Sequence, residues 1–286
     1  MEAAPPPGPA SDLPLDAHLH TDLSPDSDVP IDVYAAAAAE RGIAELLITD
    51  HVDFDARDPA FEYSTFEARE RSVREAAERW AGHGVAIRFG AELTFNRRWE
   101  NDIRAHVAAH RYDYTIGSVH DWPDSPYRPE RVATWARGRG LAELVGPYLD
   151  EVTAAARSGL FDTIGHLDVV KRYLWAHAPE GTFRAMPELL EPALEALVET
   201  GTALEVNTSG LRQQPGETYP TAATVARFRE LGGERVTTGS DAHRPDTFAF
   251  GLDFGYRAAA KAGFRELTFR RGTERATVAI PARFRT

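Results

Sequence analysis

The chain has 286 residues, of which 43% are hydrophobic, with a formal net charge of -12 and no cysteine. That is length enough for a sizeable core, while the lack of thiols excludes disulfides and thiolate metal sites and leaves His, Asp and Glu as the strong ligands. The acidic balance argues against a sequence-independent nucleic-acid binder, and no apolar run approaches the ~18 residues that cross a bilayer.

Residues 1–12 are rich in Pro and Ala without periodicity and read as a disordered tail, which leaves 13–286 as a single domain. The start lacks the basic and apolar regions of a signal peptide, so a cytoplasmic location is expected. "LPLDAHLH" reads as a strand, "IDVYAAAAAERG" as a helix ended by Gly42, and "IAELLITDH" as a second strand. A charged helix over 64–81 leads to the strand "VAIRFGAELTF", and another over 98–110 leads to "YDYTIGSVH". A helical stretch over 132–157, broken near its glycines, precedes "FDTIGHLD"; helices over 187–200 and 222–231 precede "TALEVNTS" and "RVTTGSDAH". A last helix near Arg257 and a short β-like tail, "ELTFRR", close the chain. No internal repeat and no Pro-, Gly- or Ser-rich linker marks a second domain.

Apolar strands alternating with helices call for an α/β fold with an all-parallel sheet, either open or closed. The polar residues choose between these. His18 with His20, His51, Glu92, His120, His166, and Asp241 with His243 fall at or just beyond the C-terminal ends of different strands. An open sheet binds mainly at one switch point, whereas a barrel gathers all its strand ends around one mouth, so a barrel is expected. His18 and His20 share one face of an extended strand, and converging imidazoles suggest a metal; a pair of surface histidines by a turn is the alternative. His83, His106, His110 and His177 lie away from strand ends. No Glu follows His106, so the helical zinc-pair reading of His106 and His110 fails and they read as surface residues. Asp50, Asp121 and Asp168 adjoin histidines and either orient the imidazoles or are solvated loop acids.

The stretches "DAHLHTDLSPDS", "ITDHVD", "GAEL", "IGSVH", "IGHLDVVKRY", "LEVNTSGLR" and "GSDAHRP" run in order from Asp16 to Pro245. Together they resemble the PHP (polymerase and histidinol phosphatase) domain, and "GHLDVVKRY" and "LEVNTSGLR" tilt the match toward its monofunctional histidinol-phosphate phosphatases. The resemblance implies a distorted (β/α)7 barrel with two or three divalent ions, Zn, Mn or Fe, at the C-terminal ends of the strands. His18, His20, Glu92 and Asp241 would hold a first ion, and Glu92 would bridge to a second held by His120 and His166. Asp26, His51 and His243 would hold a third. Several family members have histidine where this chain has Asp26, and an aspartate after Ser-Pro is also a common turn residue. Glu205 reads as a buried acid supporting the metal shell rather than a ligand.

The implied reaction is hydrolysis of L-histidinol phosphate to L-histidinol and phosphate, in histidine biosynthesis. The alternatives are a PHP hydrolase of another small phosphate ester or nucleotide, and a non-catalytic metal-stabilised scaffold. Glu92, Asp241 and His243 would be catalytic, with Asp241 or His243 moving the proton toward the leaving alkoxide. Lys171 and Arg172 follow His166, and Arg212 follows the strand ending near Asn207, which makes all three candidates for phosphate contact. Lys171 stands out because the chain's only other lysine is Lys261.

Overall fold

The computed structural model describes residues 13–179 and 181–285, and the expected tail at 1–12 lies outside the described residues. Within them one sheet comprises β1 (Leu15–Leu19), β2 (Glu45–Ile48), β3 (His51–Val52), β4 (Ala86–Thr94), β5 (Tyr114–Ser118), β6 (Thr163–Ile164), β7 (Ala203–Asn207) and β8 (Val236–Gly239). The strand order is β1-β2-β4-β5-β6-β7-β8, every pairing is parallel, and β3 takes up the line of β2 to pair with β4. All seven expected strands are present, the second split at Thr49 and Asp50. Beyond β8 the chain returns to β1: Asp241 N donates to the His18 carbonyl at 2.9 Å and His20 N to the Ala242 carbonyl at 3.0 Å. The sheet is thereby nearly closed into a barrel.

The helices are α1 (Ile31–Arg41), α2 (Phe66–Trp80), α3 (Glu100–Ala109), α4 (Pro129–Trp135), α5 (Leu141–Ser158), α6 (Val170–Leu174), α7 (Met186–Leu189), α8 (Glu191–Thr200), α9 (Ala222–Glu230) and α10 (Leu252–Lys261). Gly42 ends α1 as expected, its φ of 69° reaching the left-handed region that lets its N–H meet the Ala38 carbonyl. The Thr65 and Thr221 hydroxyls cap α2 and α9 by accepting from Ala68 N and Thr224 N. The stretch expected over 132–157 is two helices, separated by a turn through Gly138. The short helix α6 escapes a sequence reading because its five residues carry too little periodicity.

Two hydrophobic clusters hold the layers together. Tyr34, Val73 and Phe89 pack α1 and α2 on one flank of the sheet, while Ile116, Tyr148, Leu204 and Tyr256 belong to the larger cluster around the remainder. The "ELTFRR" tail is a true strand, β9 (Glu266–Arg271), paired antiparallel with β10 (Glu274–Ala279). Its Leu267 and Phe269 are buried, Arg270 bonds Asp162 before β6 at 3.0 Å, and Arg271 pairs with Glu45 at the start of β2. The hairpin therefore sits at the N-terminal ends of the strands and leaves the C-terminal ends as the mouth.

Candidate metal centre

At the mouth the strands deliver the expected side chains to one point. His18 and His20, two residues apart on β1, both turn inward and are fully buried, with their Nε2 atoms 3.0 Å apart. Glu92 from β4 lies at the centre. Its Oε2 is 3.3 Å from both of these Nε2 atoms and 3.0 Å from His51 Nδ1. Its Oε1 is 2.8 Å from His166 Nε2 and 3.4 Å from His120 Nε2. Asp241 Oδ1, after β8, stands 3.5 Å from His20 Nε2, and Asp26 Oδ2 lies 3.2 Å from His51 Nε2 and 3.1 Å from His243 Nε2.

Donor atoms of His18, His20 and Glu92, of His51, Glu92 and His120, and of His20, Asp26, His51 and His243 form three sets, each within 4.8 Å. These sets overlap the expected ones but divide the residues differently: Asp241 and His166 fall in none of them, His51 stands with Glu92 and His120 as well as with Asp26, and His20 joins Asp26, His51 and His243. The donor set fits divalent cations. His166 Nδ1 is buried without a hydrogen-bond partner, and imidazole nitrogens crowd against carboxylate oxygens in a cysteine-free site.

With protein charges alone the centre is strongly polarised. Burial works against the charged form of His18, yet Glu205, Glu92 and Asp241 hold its pKa well above the usual histidine value. His20 moves the other way, depressed by burial and then by His243 and His51. Glu92 is buried, which would raise it, but His18, His51 and His120 keep it well below the carboxylate range. Asp26 and Asp241 are likewise lowered against the effect of burial, Asp26 mainly by hydrogen bonds with His243 and His51.

The supports differ from those expected. Asp50 holds no imidazole; it accepts from Thr21 N at 2.6 Å and Thr21 Oγ1 at 2.9 Å and so fixes the loop that follows β1. Asp121 pairs with Arg128, and Asp168 with Lys171. Asp16 reaches across to β8, accepting from Ser240 N and Oγ at 2.8 and 2.6 Å, and burial pushes its carboxyl up to about 6 against those bonds. Glu205, as the sequence suggested, is a buried acid beside the cluster, with Oε1 2.7 Å from His18 Nδ1. His106 and His110 are half-buried rather than surface residues, packed with Phe54, Phe66 and Tyr112.

A cleft of about 400 Å³ opens onto the cluster, lined among others by His51, Glu92, His120, Arg172 and Tyr173. Arg172 is exposed and its side chain makes no hydrogen bond or ion pair among the described residues, which leaves its fork available to an anion. Lys171 corrects the sequence reading. It is 1% exposed, its Nζ held by Asp168 at 2.8 Å and Glu217 at 2.5 Å, so its rarity marks a buried ion pair rather than a phosphate contact. Arg212 donates to the Ser240 and Asp241 carbonyls at 2.7 and 2.5 Å, which anchors the backbone of Asp241, a non-glycine residue at φ 53°.

A parallel sheet nearly closed upon itself, with histidines and acids gathered at its C-terminal mouth, is the architecture of a PHP domain. The chain belongs to that family, whose model matches residues 16–209. It is 33% identical over 261 residues to the "Probable histidinol-phosphatase" of Deinococcus radiodurans, covering 89% of this chain and 96% of that protein. It is 27% identical over 255 residues to the "Histidinol-phosphatase" of Lactococcus lactis, covering 88% and 93%. Among solved structures its fold is similar, with a TM-score of 0.78 and 24% identity, to histidinol phosphate phosphatase from Lactococcus lactis complexed with zinc, L-histidinol and phosphate. That likeness covers 91% of this chain and 98% of the other.

Proposed function

We propose that this protein is a metal-dependent phosphomonoesterase that hydrolyses L-histidinol phosphate to L-histidinol and phosphate. The observation that carries the reading is the convergence of six histidines and two aspartates around Glu92 in an open cleft. The names of the relatives, and the zinc, L-histidinol and phosphate in the Lactococcus structure, support the substrate.

His18, His20, Glu92 and Asp241 would hold one divalent ion, Glu92, His120 and His166 a second, and Asp26, His51 and His243 a third. Such ions would supply positive charge to the phosphoryl oxygens and lower the pKa of a water toward ~7. The chain's own residues do the rest. Arg172 grips phosphate from the cleft wall, and Arg212, with N–H donors left beyond its two carbonyl bonds, adds positive charge behind Asp241. Asp241 and His243, with Oδ1 and Nδ1 3.4 Å apart, form the pair that moves a proton toward the leaving oxygen. Asp53, Asp58 and Asp121 line the same cleft and suit a substrate whose far end carries an amine and an imidazole.

Phosphate release from a panel of monoesters, with and without chelator, tests the reading. L-Histidinol phosphate is expected to be turned over fastest, and chelator to abolish the activity. Chelator-insensitive release, or preference for a substrate without a cationic tail, would overturn it.

A further inference from the structure

The strand β7 contributes no side chain to the proposed ligand sets, yet its two inward residues at this end, Glu205 and Asn207, are fully buried. We propose that Glu205 is the positioning residue of the metal centre, a carboxylate that fixes the tautomer of His18 and the backbone of His166. The proposal rests on the metal-dependent reading above.

A buried carboxylate can only accept, and both oxygens of Glu205 are committed. His18 Nδ1 lies 2.7 Å from Oε1, while Oε2 accepts from His166 N at 2.7 Å and from Asn207 Nδ2 at 3.1 Å. With its Nδ1 proton given to Glu205, His18 presents the bare Nε2 toward His20 and Glu92, as a ligand must. His166 stands at φ 22°, outside the well-populated regions for a side-chain-bearing residue, and its N–H is tied to the same carboxylate. Asn207 Nδ2 also reaches Asp241 Oδ2 at 3.3 Å. A side chain from β1, a backbone N–H from beyond β6 and a side chain from beyond β8 are thus set against one strand. Two glycines wall the acid in: a Cβ at Gly239 would lie 3.0 Å from Oε1, and one at Gly165 would lie 3.3 Å from Oε2.

Glu205→Gln keeps the shape but leaves one accepting oxygen for three donors, so either His18 Nδ1, or His166 N together with Asn207 Nδ2, faces an amide N–H. Folding is checked by circular dichroism. Zinc affinity, measured by chelator competition without substrate, is expected to fall 10- to 100-fold in the variant. Nitrogen-15 spectra of histidine-labelled, zinc-loaded wild type should show the His18 proton on Nδ1. A folded variant with wild-type zinc affinity would overturn the proposal. So would a His18 proton on Nε2 in the wild type, a result that does not depend on whether the variant folds. Wild-type protein that binds zinc but leaves L-histidinol phosphate intact would count against the activity and leave this role standing. Wild-type protein without zinc affinity would overturn both.

Discussion

Asp26 meets His51 and His243 through a single oxygen, and among the described residues its side chain accepts no backbone N–H, so it does not act as the turn residue that Ser-Pro-Asp sequences often contain. Asp26→Asn is therefore expected to lower metal content and to reduce kcat by about 10- to 100-fold, and Asp26→His to retain part of both. Elemental analysis beside turnover decides it; full metal and activity in Asp26→Asn would remove Asp26 from the third ligand set. The neighbours Lys171 and Arg172 make a sharper pair, because one is buried in ion pairs and the other is open to the cleft. Arg172→Met should lower kcat/KM by about 1.5–3 kcal/mol, the range for a hydrogen bond to a charged group, with Tm unchanged. Lys171→Met should lower Tm instead, since it strands two carboxylates. Equal kinetic losses in the two variants would contradict this division.

Strand β8 can close on β1 only because Gly239 lets the backbones approach. A Cβ there would stand 2.2 Å from His18 Cβ and 2.8 Å from His18 N. Gly239→Ala is expected to destabilise the protein by about 1–3 kcal/mol, as overpacking does, and to lower metal content in step by displacing His18. Thermal melts and metal analysis read both, and an unchanged melt would mean the junction has slack. On α3, burial, with His110 and Arg69 adding to it, pushes His106 down to about 4. The unfolded chain takes up that proton near pH 6.5 and the folded chain only near 4. The stability from keeping His106 neutral is thus present above about 6.5 and is lost as pH falls toward 4. His106→Phe should lose less stability between pH 7 and 5 than wild type, by up to about 1 kcal/mol for a half-buried group screened by solvent. Denaturant titrations at the two pH values measure the difference.

Taken as one molecule, the barrel is closed at its N-terminal end by the β9–β10 hairpin and leaves its acids and histidines clustered at the other. No helix among the described residues is long and apolar enough to cross a membrane. Because the proposed ions bind the folded mouth and draw together side chains from six strand ends, their removal should lower Tm. At a thousand-fold excess over Kd the linkage amounts to about 4 kcal/mol. Melts in chelator and in graded zinc test this, and a Tm independent of zinc would show that the mouth is held by protein contacts alone.

Much of this was legible in the chain because it is local. Apolar runs separated by helical periods mark the seven strands, and the acids and histidines that follow those runs mark the mouth, since a strand's end and its side-chain alternation depend on a few neighbouring residues. The absence of cysteine likewise restricts the ligands to nitrogen and oxygen before any folding is considered. What stayed hidden depends on distance across the fold. Glu205 and His18 are 187 positions apart yet 2.7 Å from each other, and the alternation in "LEVN" shows which face Glu205 takes but not what it meets there. Lys171 was misread for the same reason. Its rarity is visible in the chain, whereas Glu217, the second carboxylate that holds it, reaches it only when the loop after β7 packs against α6, and long-range packing has no local period to reveal it.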